Sequence, residues 1–388
     1  MNAAYGVGPS SQKFVQTAAS LAQEVIARHA QQVDEQARFP SENVAALGKA
    51  GLLGLCVPQA QGGSGEGPRT FAAVAETLAQ SCASTAMIYV MHVSAAQAVA
   101  AAPALAGRDE LLKKIAQGEH LTTLSLSEKG SRSQFWAPVS KLAEAGDGYT
   151  TQAHKSWVTS ASHADSYVSS AQKPSAASPL ESTIYLVRKG ASGVRVASRF
   201  DGLGLRGNDS APVSIEQLKV AKGDLMSEVG GGAKVMLEVI LPWFALGTAA
   251  MANGLSLAAQ AATSQHLQGA GFEHTGQKLR ELPNLRARLA QMSIRTAQAR
   301  ALLRDALDEV ESASPSAPLY VLQSRASSLD AALEVTDLAM KACGGAAFSK
   351  HLPIERLFRD ARAGWVMAPT VDHLHDFIGK ALTGLPLF

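Results

Sequence analysis

The sequence predicts a mainly α protein with a central β domain, and three observations carry that expectation. Apolar residues recur at three- and four-residue steps across residues 12–117. Short segments rich in Thr, Val, Ser and Tyr then alternate with Gly and Asp turns across 121–220. From Gly230 the helical period returns and continues almost to the end. Helices, then strands, then helices imply segregated domains rather than βαβ units. The expected division is an N-terminal α-helical domain over 1–119, a small antiparallel β domain over 120–228, and a C-terminal antiparallel helical bundle over 229–388.

In the first domain the periodicity is clearest over 14–37, and Pro40 followed by Ser41-Glu42-Asn43 reads as a helix start. Further helices are expected at 70–81, 85–101 and 110–117, with Gly62, Gly63, Gly65 and Gly67 forming a turn-rich loop before them. In the second domain, 141–145 and 149–153 predict a hairpin around Gly146-Asp147-Gly148, because Asp-Gly supplies the positive φ angles of a tight turn. Segments 183–188 and 193–198 are expected as a second pair, and the Ser-, Pro- and Ala-rich stretch 173–182 as an exposed loop. Long helical patterns at 233–266, 284–312, 319–342 and 371–382, joined by short loops, predict the bundle.

With 388 residues, 46% of them apolar and 18% charged, the chain can bury a sizeable core. A formal net charge of +2, without a dense basic face or tail, speaks against a nucleic-acid partner. Cys56, Cys82 and Cys343 lack CxxC spacing, so no disulfide framework and no metal site are expected, and a reducing, cytoplasmic setting is. Residues 1–11 lack the basic start and apolar run of an export signal. The longest apolar stretch, 239–252, contains Pro242 and is short for a membrane span, so it reads as a buried helix.

Gly202-Leu203-Gly204-Leu205-Arg206-Gly207 satisfies the dinucleotide pattern G-x-G-x-x-G. That pattern works only where a helix N-terminus follows and faces a pyrophosphate. Residues 208–218 alternate like a strand and contain Pro212, so the Rossmann reading is rejected.

Several segments, in order, carry a family likeness. The first domain has Phe39-Pro40, Gly51-Leu52-Leu53-Gly54-Leu55, Val57-Pro58 and Gly62-Gly63. The second has Ser127-Glu128, Ser133, Lys155-Ser156-Trp157-Val158-Thr159, Ala164-Asp165 and Leu203-Gly204-Leu205-Arg206-Gly207. The third has Gly344-Gly345, Pro353-Ile354-Glu355-Arg356 and Arg359-Asp360-Ala361. In this order and spacing the chain resembles the acyl-CoA dehydrogenase family over nearly its whole length.

The resemblance implies an FAD flavoprotein and assigns roles. Trp157 would cover one face of the isoalloxazine ring, and a flat aromatic suits a flat heterocycle; residue type alone favours a core tryptophan in a strand, and the family context reverses that. Thr159, two positions on in an extended strand, would share that face and reach the polar edge of the flavin. Leu126 and Ser127 would bond its pyrimidine side, with Ser in place of the usual Thr. Ser133 would lie near a pyrophosphate, or be a turn residue only. Gly344-Gly345 would let the backbone approach the FAD diphosphate of a neighbouring subunit, or simply cap a helix. Arg206 reads as structural, and Arg359-Asp360 as a site pair or a helix-surface ion pair.

The sequence also departs from the family. Dehydrogenation there uses a glutamate that takes the α-proton. Val366-Met367-Ala368-Pro369-Thr370 places Ala368 where that base belongs, with Thr370 retained. A minority of members carry the base early in the helix after the β domain, here Ile240-Leu241-Pro242-Trp243-Phe244-Ala245, which has no carboxylate. The Arg and Phe offered across the family's dimer interface are replaced by Phe272 and Thr275, with Gly276 kept. Asp372, in the cluster Asp372, His373, His375 and Asp376, is either a substitute base or a helix-capping charge. His92 is either a flavin-facing group or a satisfied core histidine.

The function implied is α,β-dehydrogenation of an acyl thioester, on CoA or a carrier protein, with an electron-transfer flavoprotein or O2 as acceptor. A flavin-dependent monooxygenase on the same scaffold, which needs no carboxylate base, and a catalytically silent member are the alternatives. A homodimer or homotetramer is implied as well.

Overall fold

A computed structural model describes residues 4–387, so the expected outer limits at 1 and 388 lie outside the described residues. Helix α1 (Gln12–Leu21) continues through a π turn into α2 (Ala27–Glu35), burying Ala18, Ala22, Ile26, Ala30 and Val33 along one stripe. After Pro40 comes α3 (Ser41–Lys49), followed by α4 (Pro68–Ala79), α5 (Ala83–Ala100) and α6 (Arg108–Ala116). Helix α5 is buried along nearly its whole length, which is why its apolar residues favour no single face. In the loop before α4, a Cβ at Gly63 would stand 2.1 Å from the Val57 carbonyl oxygen, so only glycine closes that turn.

The middle of the chain forms two sheets. Strands β1 (Thr122–Ser125), β4 (Ser166–Gln172) and β5 (Ser182–Arg188) make one, in the order β1-β4-β5. Strands β2 (Leu142–Ala145), β3 (Gly148–Val158), β7 (Ala211–Val220) and β6 (Val194–Val196) make the other, in the order β2-β3-β7-β6. All pairings are antiparallel except β1 with β4, which run parallel because the β2–β3 hairpin lies between them in the chain. The predicted hairpin forms with Ala145 opposite Gly148, and its positive φ falls at Gly146, the first central residue, rather than at an Asp-Gly step.

The expected pairing of 183–188 with 193–198 is not found. Strand β5 pairs with β4, while β6 crosses to the other sheet and pairs with β7. The crossing needs Gly193, at φ +83°, where a Cβ would stand 1.8 Å from the Glu216 carbonyl oxygen.

The rejected glycine motif has a mechanical role. Its loop docks the β domain on the C-terminal helices: the Leu205 N–H donates to the buried Asp360 carboxylate at 2.7 Å, and a Cβ at Gly204 would stand 2.3 Å from the Arg359 carbonyl oxygen. Arg206 donates to the Asp34 carbonyl at 2.9 Å, as a structural residue would. Arg359 pairs with Asp34 and Glu355, so Arg359 and Asp360 serve different partners rather than each other.

The bundle begins with α7 (Gly232–Val235) and a π turn at Met236–Ile240, then α8 (Leu241–Gly269). Pro242 follows the π turn inside a continuous helix, where its missing N–H leaves a carbonyl of the preceding turn without its intrahelical donor. The helical stretch Gly232–Gly269 is long and apolar enough to cross a membrane by length and composition. In the fold, 61% of its most apolar window is buried, and α8 packs against α4, α5, α9 and α10. Helices α9 (Pro283–Glu311), α10 (Ala317–Cys343) and α14 (Val371–Thr383) match the expected bundle. Short helices α11 (Gly345–Phe348), α12 (Ile354–Ala361) and α13 (Ala363–Val366), which the sequence reading left unassigned, connect α10 to α14. One large apolar core unites the two helical regions, and a second fills the space between the sheets.

Candidate functional site

The two segments named for the flavin ring lie side by side. The Ser156 N–H donates to the Ser127 carbonyl at 2.8 Å, and Lys129 N–H donates to the His154 carbonyl at 3.0 Å. Residues 126–129 therefore lie antiparallel to the end of β3, with Leu126 buried and Ser127 half-buried at the edge.

A buried ion pair locks this junction. The Lys155 ammonium donates to Glu128 Oε1 at 2.6 Å and to the Ser170 carbonyl at 2.7 Å. Glu128 also accepts the Val139 and Ser140 N–H groups at 2.8 and 2.7 Å and the Ser140 hydroxyl at 2.5 Å. Burial alone would raise the Glu128 pKa; the Lys155 charge and these hydrogen bonds outweigh it and hold the carboxyl below its usual range.

Trp157 follows directly, and its geometry is unusual. A bulge interrupts the β3–β7 ladder between Lys155 and Val158, and Trp157 takes φ +58°, a region bulky side chains seldom occupy. The bulge turns the indole outward, leaving the side chain 70% exposed. A core tryptophan is thereby excluded. The same bulge breaks the alternation that was expected to put Thr159 beside it: Thr159 is buried, with its hydroxyl 3.0 Å from that of Ser210.

The loop from β1 to β2 forms a second wall. Ser133, half-buried, has φ +68° and follows Arg132 at φ +50°. Three residues on, the buried Trp136 packs edge-on against His373 and Phe377 of α14, with ring centroids 6.0 and 5.4 Å apart, tying the loop to that helix. At the start of α14, Thr370 is the N-cap: its hydroxyl accepts the His373 N–H at 3.4 Å and lies 3.1 Å from the His373 ring nitrogen. Asp372 is exposed in the first turn, and Ala368 is half-buried just before it.

His92 is a core residue. Its Nε2 lies 3.1 Å from the Leu53 carbonyl and its Nδ1 accepts the Thr122 N–H at 3.1 Å, which fixes a neutral tautomer and spends both nitrogens. Burial pulls its pKa from 6.5 down to about 4. A depressed histidine stabilises the fold fully above 6.5 and loses that contribution as pH falls through 4, about 3 kcal/mol in all. Asp360, raised by burial to about 6, acts oppositely: its contribution is present below 3.8 and lost as pH rises through 6. Urea unfolding at pH 6.5 and pH 4 is therefore expected to show the stability advantage of wild type over His92→Asn shrinking by about 3 kcal/mol. A pH-independent difference would contradict the buried neutral imidazole.

Gly344 and Gly345 are exposed, and a Cβ at either would meet nothing within 4 Å. Gly344 ends α10 at φ 53°, ψ −130°, a conformation for glycine but not the αL of an ordinary C-cap. The pair does not join the other site residues: along α10, about 28 Å of helix separate Gly344 from Arg325, which lies beneath the Ala368 segment. Phe272, Thr275 and Gly276 lie in an exposed loop between α8 and α9.

Three residues of the site were not singled out from sequence: Arg325, Trp136 and Lys155 as the partner of Glu128. A signal existed for the first, since Arg325 is a lone charge on the apolar stripe Val321, Leu329 and Ala332 of α10.

Comparisons with known proteins agree with this architecture. Residues 8–119 match the acyl-CoA dehydrogenase N-terminal domain, 123–218 its middle domain and 230–382 its C-terminal domain. The mitochondrial short-chain specific acyl-CoA dehydrogenase of Rattus norvegicus is 26% identical over 357 residues, covering 90% of this chain and 84% of that protein. The structure of butyryl-CoA dehydrogenase from Megasphaera elsdenii superposes with a TM-score of 0.92 at 22% identity, covering 97% of this chain and 99% of that one. An FAD complex of PigA superposes at 0.89 with 18% identity, covering 97% and 98%. Three domain matches in sequence order, on a fold that ties them together as described, mean that the chain belongs to the acyl-CoA dehydrogenase family.

Proposed function

We propose that this protein is an FAD-dependent oxidoreductase that removes hydrogen from the α and β carbons of an acyl thioester carried on CoA or a carrier protein. Trp157 carries the proposal: an indole on a strained bulge, facing out of the β domain, is arranged to receive a flat ring. The residues present fit FAD. Trp157 would cover one ring face, Leu126 and Ser127 would bond its polar edge, and Ser133 would lie toward the diphosphate. Thr159 would share its hydroxyl with Ser210, and Thr370 would contribute from an N-cap already engaged with His373. FAD, when bound, supplies the two-electron acceptor, which an electron-transfer flavoprotein or O2 would reoxidise. Gly344-Gly345, remote and open, would serve the cofactor of a second copy, which supports a homodimer or homotetramer.

Anaerobic mixing of the FAD-loaded protein with a panel of acyl-CoA thioesters tests the reading. Bleaching of the flavin colour by at least one is expected; colour that persists across the panel would overturn it.

On this reading Asp372 is the carboxylate closest in the chain to Ala368 and is assigned the proton. Asp372→Asn is expected to lower turnover by about 100-fold or more, while shifting stability by no more than about 1 kcal/mol, since only a first-turn charge is lost. Unchanged turnover would remove Asp372 from the chemistry. The absence of a carboxylate at Ala368 and across residues 240–245 favours a second reading, a flavin-dependent monooxygenase needing no base. Oxygen-dependent hydroxylation in the presence of a flavin reductase would select it.

A further inference from the structure

Among the described residues, the buried cations Lys155 and Arg362 have carboxylate partners, Glu128 and Asp337, and the half-buried Arg359 pairs with Asp34. Arg325 is completely buried in the middle of α10 and, among the described residues, forms no ion pair. Its Nε donates to the Thr248 hydroxyl at 3.1 Å, Nη1 to the Pro369 carbonyl at 2.8 Å and Nη2 to the Met367 carbonyl at 3.1 Å. All three acceptors are neutral. The guanidinium also lies over the Phe244 ring, 4.8 Å from its centroid. Burial alone lowers its pKa to about 9, leaving it charged at neutral pH.

The position of this charge is informative. Met367 and Pro369 flank Ala368, and Phe244 lies in the α8 segment that also lacks a carboxylate. The two places where the family resemblance put a base thus meet over one arginine, and neither supplies an anion. A buried cation without an anion is costly, so a ligand bringing negative charge to this place is favoured. The segment that covers the guanidinium is itself half-buried at Met367 and Ala368, and is preceded in the chain by the exposed Trp365 and Val366.

We propose that Arg325 is a specificity-determining residue that selects substrates whose acyl group carries a carboxylate, held beside Ala368. This rests on the acyl thioester reading above. The attraction acts through the segment that covers the guanidinium. At that range in a partly buried site, it should favour a carboxylate-bearing acyl group over a neutral one by roughly tenfold.

Equilibrium binding of glutaryl-CoA and butyryl-CoA to the FAD-loaded protein, read from perturbation of the flavin spectrum and by calorimetry, tests this without turnover. Wild type is expected to bind glutaryl-CoA about tenfold more tightly. The preference should survive Arg325→Lys and vanish in Arg325→Met. Should Arg325→Met fail to fold, Arg325→Gln gives the answer, because it removes the charge while keeping an amide donor in the helix beneath the Met367 and Pro369 carbonyls, and it should erase the preference. Equal binding of the two thioesters by wild type, or a preference undiminished in Arg325→Gln, would overturn the specificity role while leaving the thioester reading intact. Binding of neither by a protein that holds FAD would sink the thioester reading, and this role with it.

Discussion

Lys155→Met is expected to destabilise the protein by about 3–5 kcal/mol, because it leaves the Glu128 carboxylate buried without its counter-ion. Lys155 and Glu128 are 0% and 2% exposed at their side chains, so solvent cannot replace the lost ammonium. The carboxylate would keep its bonds to Val139, Ser140 and the Ser140 hydroxyl, but these are neutral donors. Urea denaturation at pH 7 should show a lower midpoint. As pH falls, the gap to wild type should narrow, since protonating Glu128 relieves the variant while removing the wild-type pair. An unfolding free energy within about 0.5 kcal/mol of wild type would show that the pair contributes nothing to the fold. On the proposed reading the pair also bears on cofactor binding, since it fixes the backbone that carries Ser127 against the backbone that carries Trp157. A folded Lys155 variant should therefore hold FAD less tightly, although both charges are buried within the β domain.

Trp157→Ala should give the reverse pattern. With the indole 70% exposed, its removal empties no core, and apo stability should change by no more than about 0.5 kcal/mol. Losing an aromatic platform under a flat heterocycle costs about 1–3 kcal/mol, so FAD should dissociate roughly ten- to a hundredfold more readily. Trp157→Phe should recover part of that. Titration of the apoprotein with FAD, followed by flavin fluorescence, measures the effect, and identical affinities in wild type and Trp157→Ala would remove the indole from the site. Together the two variants separate holding the wall in place from being the wall.

Much of this was legible in the residues, for physical reasons. Long helices announce themselves by periodicity, and α4, α5, α9, α10 and α14 fall within a few residues of their expected limits. The β2–β3 hairpin was legible because its turn chemistry is local. The partner of β5 was not, since the change of sheet at Gly193 depends on contact with β7 some twenty residues later in the chain. At the site, Trp157 was named by motif. The bulge that exposes it and buries Thr159 is an interruption of β3 by its pairing with β7, which no alternation pattern contains. His92 shows the limit of residue type: only its two hydrogen bonds decide between a catalytic and a core histidine. Arg325 was overlooked because a lone arginine in a helix reads as solvated unless its place on the apolar stripe is weighed.

The central claim is that the β-domain wall bearing Trp157 binds a flavin, and the visible spectrum of the purified protein tests it most directly. After incubation with FAD and gel filtration, the protein peak should carry stoichiometric flavin absorbance. A colourless peak from folded protein, with all the flavin eluting as free FAD, would contradict it.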